Sequence, residues 1–330
     1  MADTMMALRS HRRGGPETLV YESAPVPVAA LGEVLIEVHA AAITPAELGW
    51  DETWRSEDGS DRTPTIPSHE VSGVVVGLGE GVDRFSIGDQ VYGRIGFNRD
   101  GAAAEYAAVP VSDLALRPLS VSHVESATLP LAALTAWQAL ADHARLQPGE
   151  HVVVLGGAGG VGAFAVQLAR YFGAAVSSTA RGADLDFVLA IGADVALDYT
   201  NANDNNVLDQ ADVVIDAVGG PTSERAVRLV RAGGRLVTFS QPVDAALTGD
   251  RDLQTFFFIV EANEAELSAI ASLVDSGALR PTVARVYGLP EGRAAYAESS
   301  VLHGPGKTVL AVRDEHGNLY AEERLPQPAI

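Results

Sequence analysis

Hydrophobic positions along this chain change period near Ser122, and the change divides it into two kinds of structure. From about residue 17 to 111, short apolar runs alternate with polar positions. Examples are Glu33-Val34-Leu35-Ile36-Glu37-Val38, Val71-Ser72-Gly73-Val74-Val75-Val76 and Gln90-Val91-Tyr92-Gly93-Arg94, separated by Gly, Pro and Asp turns. This pattern predicts a mainly β unit. From Ser122, which with Glu125 resembles a capping box, helical patterns alternate with apolar strands. The predicted strands are 152–155, 175–179, 194–197, 212–216, 235–239 and 256–260. Such alternation predicts an α/β fold with a parallel sheet covered on both faces. A helix-like run over 264–276 is followed by strands at 283–287 and 307–312 around a helix near 291–299, and these return to the β unit. No internal repeat is present, and the polar tail over 314–330, with Pro326 and Pro328, is expected to be partly disordered.

The most informative segment joins the strand at 152–155 to a helix through Gly156-Gly157-Ala158-Gly159-Gly160-Val161-Gly162. Gly157, Gly159 and Gly162 form a Gly-x-Gly-x-x-Gly turn, which seats a dinucleotide pyrophosphate on a helix N-terminus in a Rossmann-type doubly wound sheet. The first glycine permits a tight turn, the second lets backbone N–H groups reach the pyrophosphate, and the third lets the helix pack against the strand. The helix carries an apolar face at Ala165, Leu168, Ala169 and Phe172, and Gly173 stands where a C-cap belongs. A glycine-rich turn that binds nothing is the alternative. The next strand ends at Ser178-Thr179-Ala180-Arg181, where a site built for NAD places a carboxylate on the ribose. Arg181 with the hydroxyls of Ser178 and Thr179 suits a 2′-phosphate instead, so NADP(H) is favoured over NAD(H). The competing reading of Arg181 is a solvated loop charge.

Composition narrows the class. The 330 residues are 47% apolar, with a mean hydropathy of +0.12, enough for two domains with large cores. A formal charge of −20 argues against nucleic-acid and anionic-membrane partners, which call for surplus Lys and Arg. The absence of cysteine excludes disulfides, cysteine-ligated zinc and thiol nucleophiles. The N-terminal residues show no basic segment followed by an apolar run, and no window approaches about 18 unbroken apolar residues. A cytoplasmic enzyme is the expectation.

Across about residues 5–313 the chain resembles the medium-chain dehydrogenase/reductase superfamily, in its zinc-independent quinone oxidoreductase-like branch. The segments that carry the resemblance are Ala41-Ala42-Ile43-Thr44-Pro45-Ala46-Glu47, Ile66-Pro67-Ser68-His69-Glu70-Val71-Ser72-Gly73, Phe85-Ser86-Ile87-Gly88-Asp89-Gln90-Val91, Gly101-Ala102-Ala103-Ala104-Glu105-Tyr106, the Gly-rich turn, Asp212-Val213-Val214-Ile215-Asp216-Ala217-Val218-Gly219 and Gly306-Lys307-Thr308-Val309-Leu310. The resemblance implies a GroES-like β-barrel substrate domain split in sequence around the Rossmann domain. That gives residues 1–122 for its first part, 123–279 for the NADP-binding domain, and 280–330 for the return and tail.

It also implies functional residues. The positions matching the Cys, His, Cys zinc ligands of metal-dependent members are Thr44, His69 and Leu131, and the four-cysteine structural zinc lobe is missing, so no metal is expected. His69 is then a buried histidine satisfied by a hydrogen bond. Thr44 is the candidate catalytic contact to acceptor or nicotinamide, and Trp50 and Trp54 are candidates for a substrate wall or for loop packing. Matching position adds Thr135, Gly160, Val161, Tyr199, Ala217, Val218, Phe239, Ser240 and Lys307 to the cofactor set. Asp216 is read as a structural acceptor of backbone N–H groups. The apolar run 255–260 is expected on an open sheet edge that pairs with a second copy in a homodimer. The function this implies is an NADPH-dependent, metal-independent oxidoreductase delivering hydride to a quinone or α,β-unsaturated carbonyl. Alternatives are an enoyl reductase tailoring enzyme of a biosynthetic pathway, or a non-redox cofactor-binding protein, whether cyclase, lyase or regulator.

Overall fold

The computed structural model describes residues 3–201, 208, 210–301, 304–314 and 316–320. Seven strands build the first β unit: β1 (Thr4–Ser10), β2 (Leu19–Pro25), β3 (Glu33–Ala42), β4 (Glu70–Leu78), β5 (Gln90–Arg94), β6 (Tyr106–Pro110) and β7 (Leu114–Leu116). After α1 (His123–Ser126) and α2 (Pro130–Trp137), strands and helices alternate as β8 (His151–Leu155), α3 (Gly160–Tyr171), β9 (Ala175–Ala180), α4 (Leu185–Ala190), β10 (Val195–Asp198), β11 (Ala211–Asp216), α5 (Ser223–Leu229), β12 (Val230–Thr238), α6 (Ala245–Thr248), β13 (Leu253–Phe257) and α7 (Glu264–Asp275). The chain closes with β14 (Val283–Gly288), α8 (Gly292–Ser299) and β15 (Lys307–Ala311).

The parallel sheet runs β10-β9-β8-β11-β12-β13, so the order reverses between β8 and β11. Its strands read as unbroken apolar runs because both faces are covered. Val152, Val154, Val213 and Ile215 enter one core with α2, α3 and α7, while Val153, Leu155 and Val214 enter a second core with Ala226 and Val227 of α5. The other sheet runs β14-β15-β3-β4-β5-β7, with β6 also paired to β3. β15 lies antiparallel to β3 and parallel to β14, which stitches the C-terminal return onto the N-terminal strands.

Local signals hold where backbone chemistry is specific. Ser122 N donates to Glu125 Oε2 at 2.8 Å and Glu125 N to Ser122 Oγ at 3.2 Å, a complete capping box. Gly173 has φ +85° just past the α3 C-cap. Two strands differ from the prediction. β12 starts at Val230, five residues before 235, because Gly233 and Gly234 sit inside it beside a register shift against β11. β13 covers 253–257 rather than 256–260: Phe258 and Val260 leave the sheet and are buried in the helix-covered core, and Val260 O accepts from Arg94 Nη2 at 2.9 Å. In the polar tail, Asp314 N donates to Asn318 O and Arg313 bridges Leu319, so the first residues form a turn; 315 and 321–330 lie outside the described residues.

Candidate active site

Residues of both sheets enclose a cavity of about 1020 Å³. The Gly-rich turn forms its floor, and the geometry reassigns the glycines. The positive φ (+82°) belongs to Gly156, one residue before the motif begins. Gly157 is required by what lies behind it, since a Cβ there would stand 2.0 Å from Ser178 Oγ. Gly162 is required for helix packing, with a Cβ falling 2.1 Å from Gly156 O. Gly159 is the open one: its Cβ would meet only Gly156 O, at 3.3 Å, and would point into free space. Gly159 is also the N-cap of the twelve-residue α3, and no side chain caps it. The first-turn N–H groups of α3 are therefore available to a ligand in the cavity, with the helix dipole behind them. An uncapped helix end beside room for a phosphate fits a dinucleotide pyrophosphate.

Thr44, Gly159, Gly160, Val161, Gly162, Thr179, Arg181, Tyr199, Ala217, Val218 and Lys307 all line this cavity. Thr179 Oγ1 accepts from Gly156 N at 3.1 Å and so fastens the turn. Arg181 Nη2 stands 3.5 Å from Asp184 Oδ2, which places a carboxylate beside the residue read as a phosphate ligand. Arg225 and Arg228 of α5 and Arg285 of β14 add positive charge that the sequence reading missed. The signal for the first two was their i, i+3 spacing on the helix that follows β11.

The structure does not bring the remaining candidates to the cavity. Ser178 is fully buried and donates to Val154 O at 2.8 Å, because inward alternation on β9 turns it under the turn. Thr135 is buried and donates to Leu131 O at 2.7 Å within α2. Phe239 packs edge-on against Phe258, with ring centroids 6.2 Å apart, and Ser240 faces Gly219. Trp50 packs edge-on against Phe97 at 4.9 Å. Trp54 is buried, with its indole Nε1 donating to Leu48 O at 3.1 Å, so loop packing is its role. Asp216 Oδ1 accepts from Val218 N, Gly219 N and Thr222 Oγ1, the structural role expected of it.

The wall supplied by the β unit joins the expected Thr44 and Lys307 to two carboxylates, Glu70 and Glu47, to which sequence reading assigned no role at the site. Lys307 Nζ, from β15, donates to Thr44 Oγ1 at 3.2 Å and forms an ion pair with Glu70 of β4. Glu70 Oε1 accepts Leu131 N at 3.0 Å, so the same carboxylate caps the first turn of α2. Burial pushes the Glu70 carboxyl up, against the pull of Lys307. Behind Thr44, the fully buried Glu47 accepts from Thr44 N (3.3 Å), Ser68 N (3.1 Å) and Tyr296 OH (2.5 Å). Burial nevertheless raises its carboxyl to about 7. His69 is buried as expected; its ring lies against the Gly96 backbone without a well-aligned hydrogen bond among the described residues, and Glu47 Oε2 stands 3.7 Å from Nε2. Burial first, then Arg62 and Arg94, lowers it to about 3, so the ring is neutral. Among the described residues no three His, Cys, Asp or Glu side chains stand together as a metal site. A smaller cavity, about 470 Å³, lies against β1 and β6 and shares no residue with the Gly-rich turn.

An uncapped helix end at the carboxyl ends of a parallel sheet, facing a barrel wall, defines a two-domain dinucleotide-binding oxidoreductase. Residues 30–118 match the alcohol dehydrogenase GroES-like domain family and 191–310 the zinc-binding dehydrogenase family. The NADPH-dependent alkenal/one oxidoreductase of Arabidopsis thaliana chloroplasts is 36% identical over 309 residues, 90% of this chain and 77% of that protein. The 2-methylene-furan-3-one reductase of Solanum lycopersicum is 37% identical over 283 residues, 82% of this chain and 69% of the relative. The solved quinone oxidoreductase of Coxiella burnetii superposes with a TM-score of 0.87 at 28% identity, covering 94% of this chain and all of that one. The chain belongs to the medium-chain dehydrogenase/reductase superfamily, among its quinone and alkenal oxidoreductases, and its cofactor is a nicotinamide dinucleotide. No helix among the described residues is long and apolar enough to cross a membrane.

Proposed function

We propose that this protein is an NADPH-dependent reductase of α,β-unsaturated carbonyls or quinones that works without a metal ion. The observation that carries the reading is the meeting, in one cavity, of the uncapped α3 N-terminus with the Thr44 hydroxyl. Bound NADPH supplies a hydride from its nicotinamide ring. The chain's own residues bind and orient. The first turn of α3 takes the pyrophosphate, Arg181 takes the 2′-phosphate, and Thr44 offers a hydrogen bond where charge collects on the acceptor oxygen. A conjugated acceptor spreads that charge by itself, which is why Thr44 and Leu131 can stand where metal-dependent members carry zinc ligands. Solvent supplies the proton. Support for this substrate class comes from the alkenal/one and 2-methylene-furan-3-one reductases among the relatives.

NADPH consumption across a panel of quinones, enals and methylene ketones tests the proposal, with 4-deuterated NADPH placing deuterium on the β-carbon of the reduced enone. Tight NADPH binding without turnover on any member of the panel would leave a cofactor-binding protein with no redox role. We also assign residues 1–122 and 280–330 to substrate binding and 123–279 to the cofactor, in a cytoplasmic homodimer joined along β13. Phe257 on that edge strand is 42% exposed and Ile259, just past its end, 56%, which supports the pairing. A monomer mass in sedimentation at micromolar concentration refutes the dimer, and stoichiometric zinc required for activity refutes the metal-free assignment.

A further inference from the structure

A hydroxyl can donate one hydrogen bond and accept two, and its donor is strengthened when a cation binds its lone pair. Thr44 Oγ1 accepts from Lys307 Nζ at 3.2 Å, and among the described residues its O–H has no acceptor. The proton of that hydroxyl is therefore left to point into the cavity that both residues line. Lys307 is held in this orientation. Glu70 pairs with its ammonium and is itself fixed by Leu131 N, while the lysine stem lies over the first turn of α3, where a Cβ on Gly160 would be 3.0 Å from Lys307 Cγ. Glu70, Lys307 and Thr44 come from β4, β15 and the segment after β3, so the arrangement exists only when the C-terminal return is docked.

We propose that Lys307 is a positioning residue for the reduction: through its hydrogen bond it orients and polarises the Thr44 hydroxyl, making it the donor to the acceptor's carbonyl oxygen. When hydride adds to the β-carbon of an enone, the C=C electron pair moves to form the enolate and negative charge collects on that oxygen. A solvent proton then goes to the α-carbon. The Thr44 O–H meets the developing charge, with the Lys307 ammonium one hydrogen bond behind it. The inference rests on the proposed reading of the site and names the group that makes its donor effective. The same ammonium could instead serve the pyrophosphate through its place beside α3, and the experiment separates the two roles.

Lys307→Met would leave Glu70 buried without its partner, so the double variant Lys307→Met/Glu70→Gln, which removes both charges, is made alongside it. Each is measured for kcat, KM and the NADPH dissociation constant, and for binding of 4-nitrophenol, an enolate mimic whose yellow phenolate band reports its ionisation in the NADP⁺ complex. Expected are a fall in kcat of about tenfold or more with little change in NADPH affinity, a phenolate band weaker than in the parent, and recovery of both by Lys307→Arg. Adding Thr44→Val to Lys307→Met should cost nothing further, because the two act as one unit. An unchanged kcat with weakened NADPH binding would overturn the proposal in favour of a phosphate contact, as would additive losses in the combined variant. If the parent reduces no enone or quinone, the reductase reading fails, while the 4-nitrophenol titration still decides whether Lys307 polarises Thr44.

Discussion

The two walls of the cavity are made in different ways. The α3 wall is one continuous segment, Gly156 to Gly162, whose helix end no side chain caps, and Gly157 and Gly162 each have a neighbour that leaves no room for a Cβ. The other wall is assembled from Thr44, Glu47, Glu70, Tyr296 and Lys307, with hydrogen bonds spanning up to 263 residues of sequence. One wall presents main-chain groups and is closely packed behind Gly157 and Gly162, with Gly159 open to the cavity. The other uses side chains whose value depends on their partners.

Substitutions within the first wall should separate its two kinds of glycine most clearly. Gly162→Val should fail to fold or lose several kcal/mol, since its Cβ would meet backbone 2.1 Å away, whereas Gly159→Val should keep its thermal midpoint and lose NADPH binding altogether. Circular dichroism melts with NADPH titration by intrinsic fluorescence check both, and equal melting points for the two variants would contradict the assignment. On the second wall, Thr44→Ala should lower kcat about tenfold to a hundredfold while NADPH affinity stays nearly unchanged. Steady-state kinetics beside the same titration would show this, and an unaltered kcat would remove Thr44 from the site.

Arg181→Ala sharpens the cofactor side. One charge-assisted hydrogen bond contributes about 1.5 to 3 kcal/mol, so the preference for NADPH over NADH should fall by about tenfold or more. Because Asp184 already pairs with Arg181, equal dissociation constants for the two cofactors in the parent protein would show that this carboxylate cancels the guanidinium.

The smallest effect is a stability slope. Glu47 titrates at about 7 in the fold against about 4.5 when exposed, so the fold holds its proton more tightly. Stability from neutral Glu47 is fully present below pH 4.5 and is lost as pH rises through 7, a decline on the order of 1 to 3 kcal/mol. Urea midpoints measured from pH 5 to 8 should fall for the parent more than for Glu47→Gln; parallel slopes would count against it.

Much of the first wall was legible in the chain. The apolar strand, the spaced glycines and the amphipathic helix are local patterns, and their geometry follows from backbone sterics whatever surrounds them. Even there the positive φ fell on Gly156 and the constraint on Gly157 came from Ser178, because strand pairing sets which β9 side chain lies beneath the turn. The end of the β13 run was misplaced for a similar reason: burial in the helix-covered core took Phe258 and Val260, which apolarity alone could not distinguish from strand residues.

Residue order and composition were enough for the alternation of strands and helices, the glycine-rich turn between β8 and α3 and the absence of any cysteine site, since each depends on residues close together or on composition. Only the folded chain settled that Trp54 and Thr135 are packing groups, that burial holds His69 neutral, and that Lys307 meets Thr44 and Glu70. The physical reason is range. A helix cap or a tight turn is settled within a few residues, whereas burial, ion pairing and the direction of a hydroxyl depend on segments brought together when β15 docks on β3.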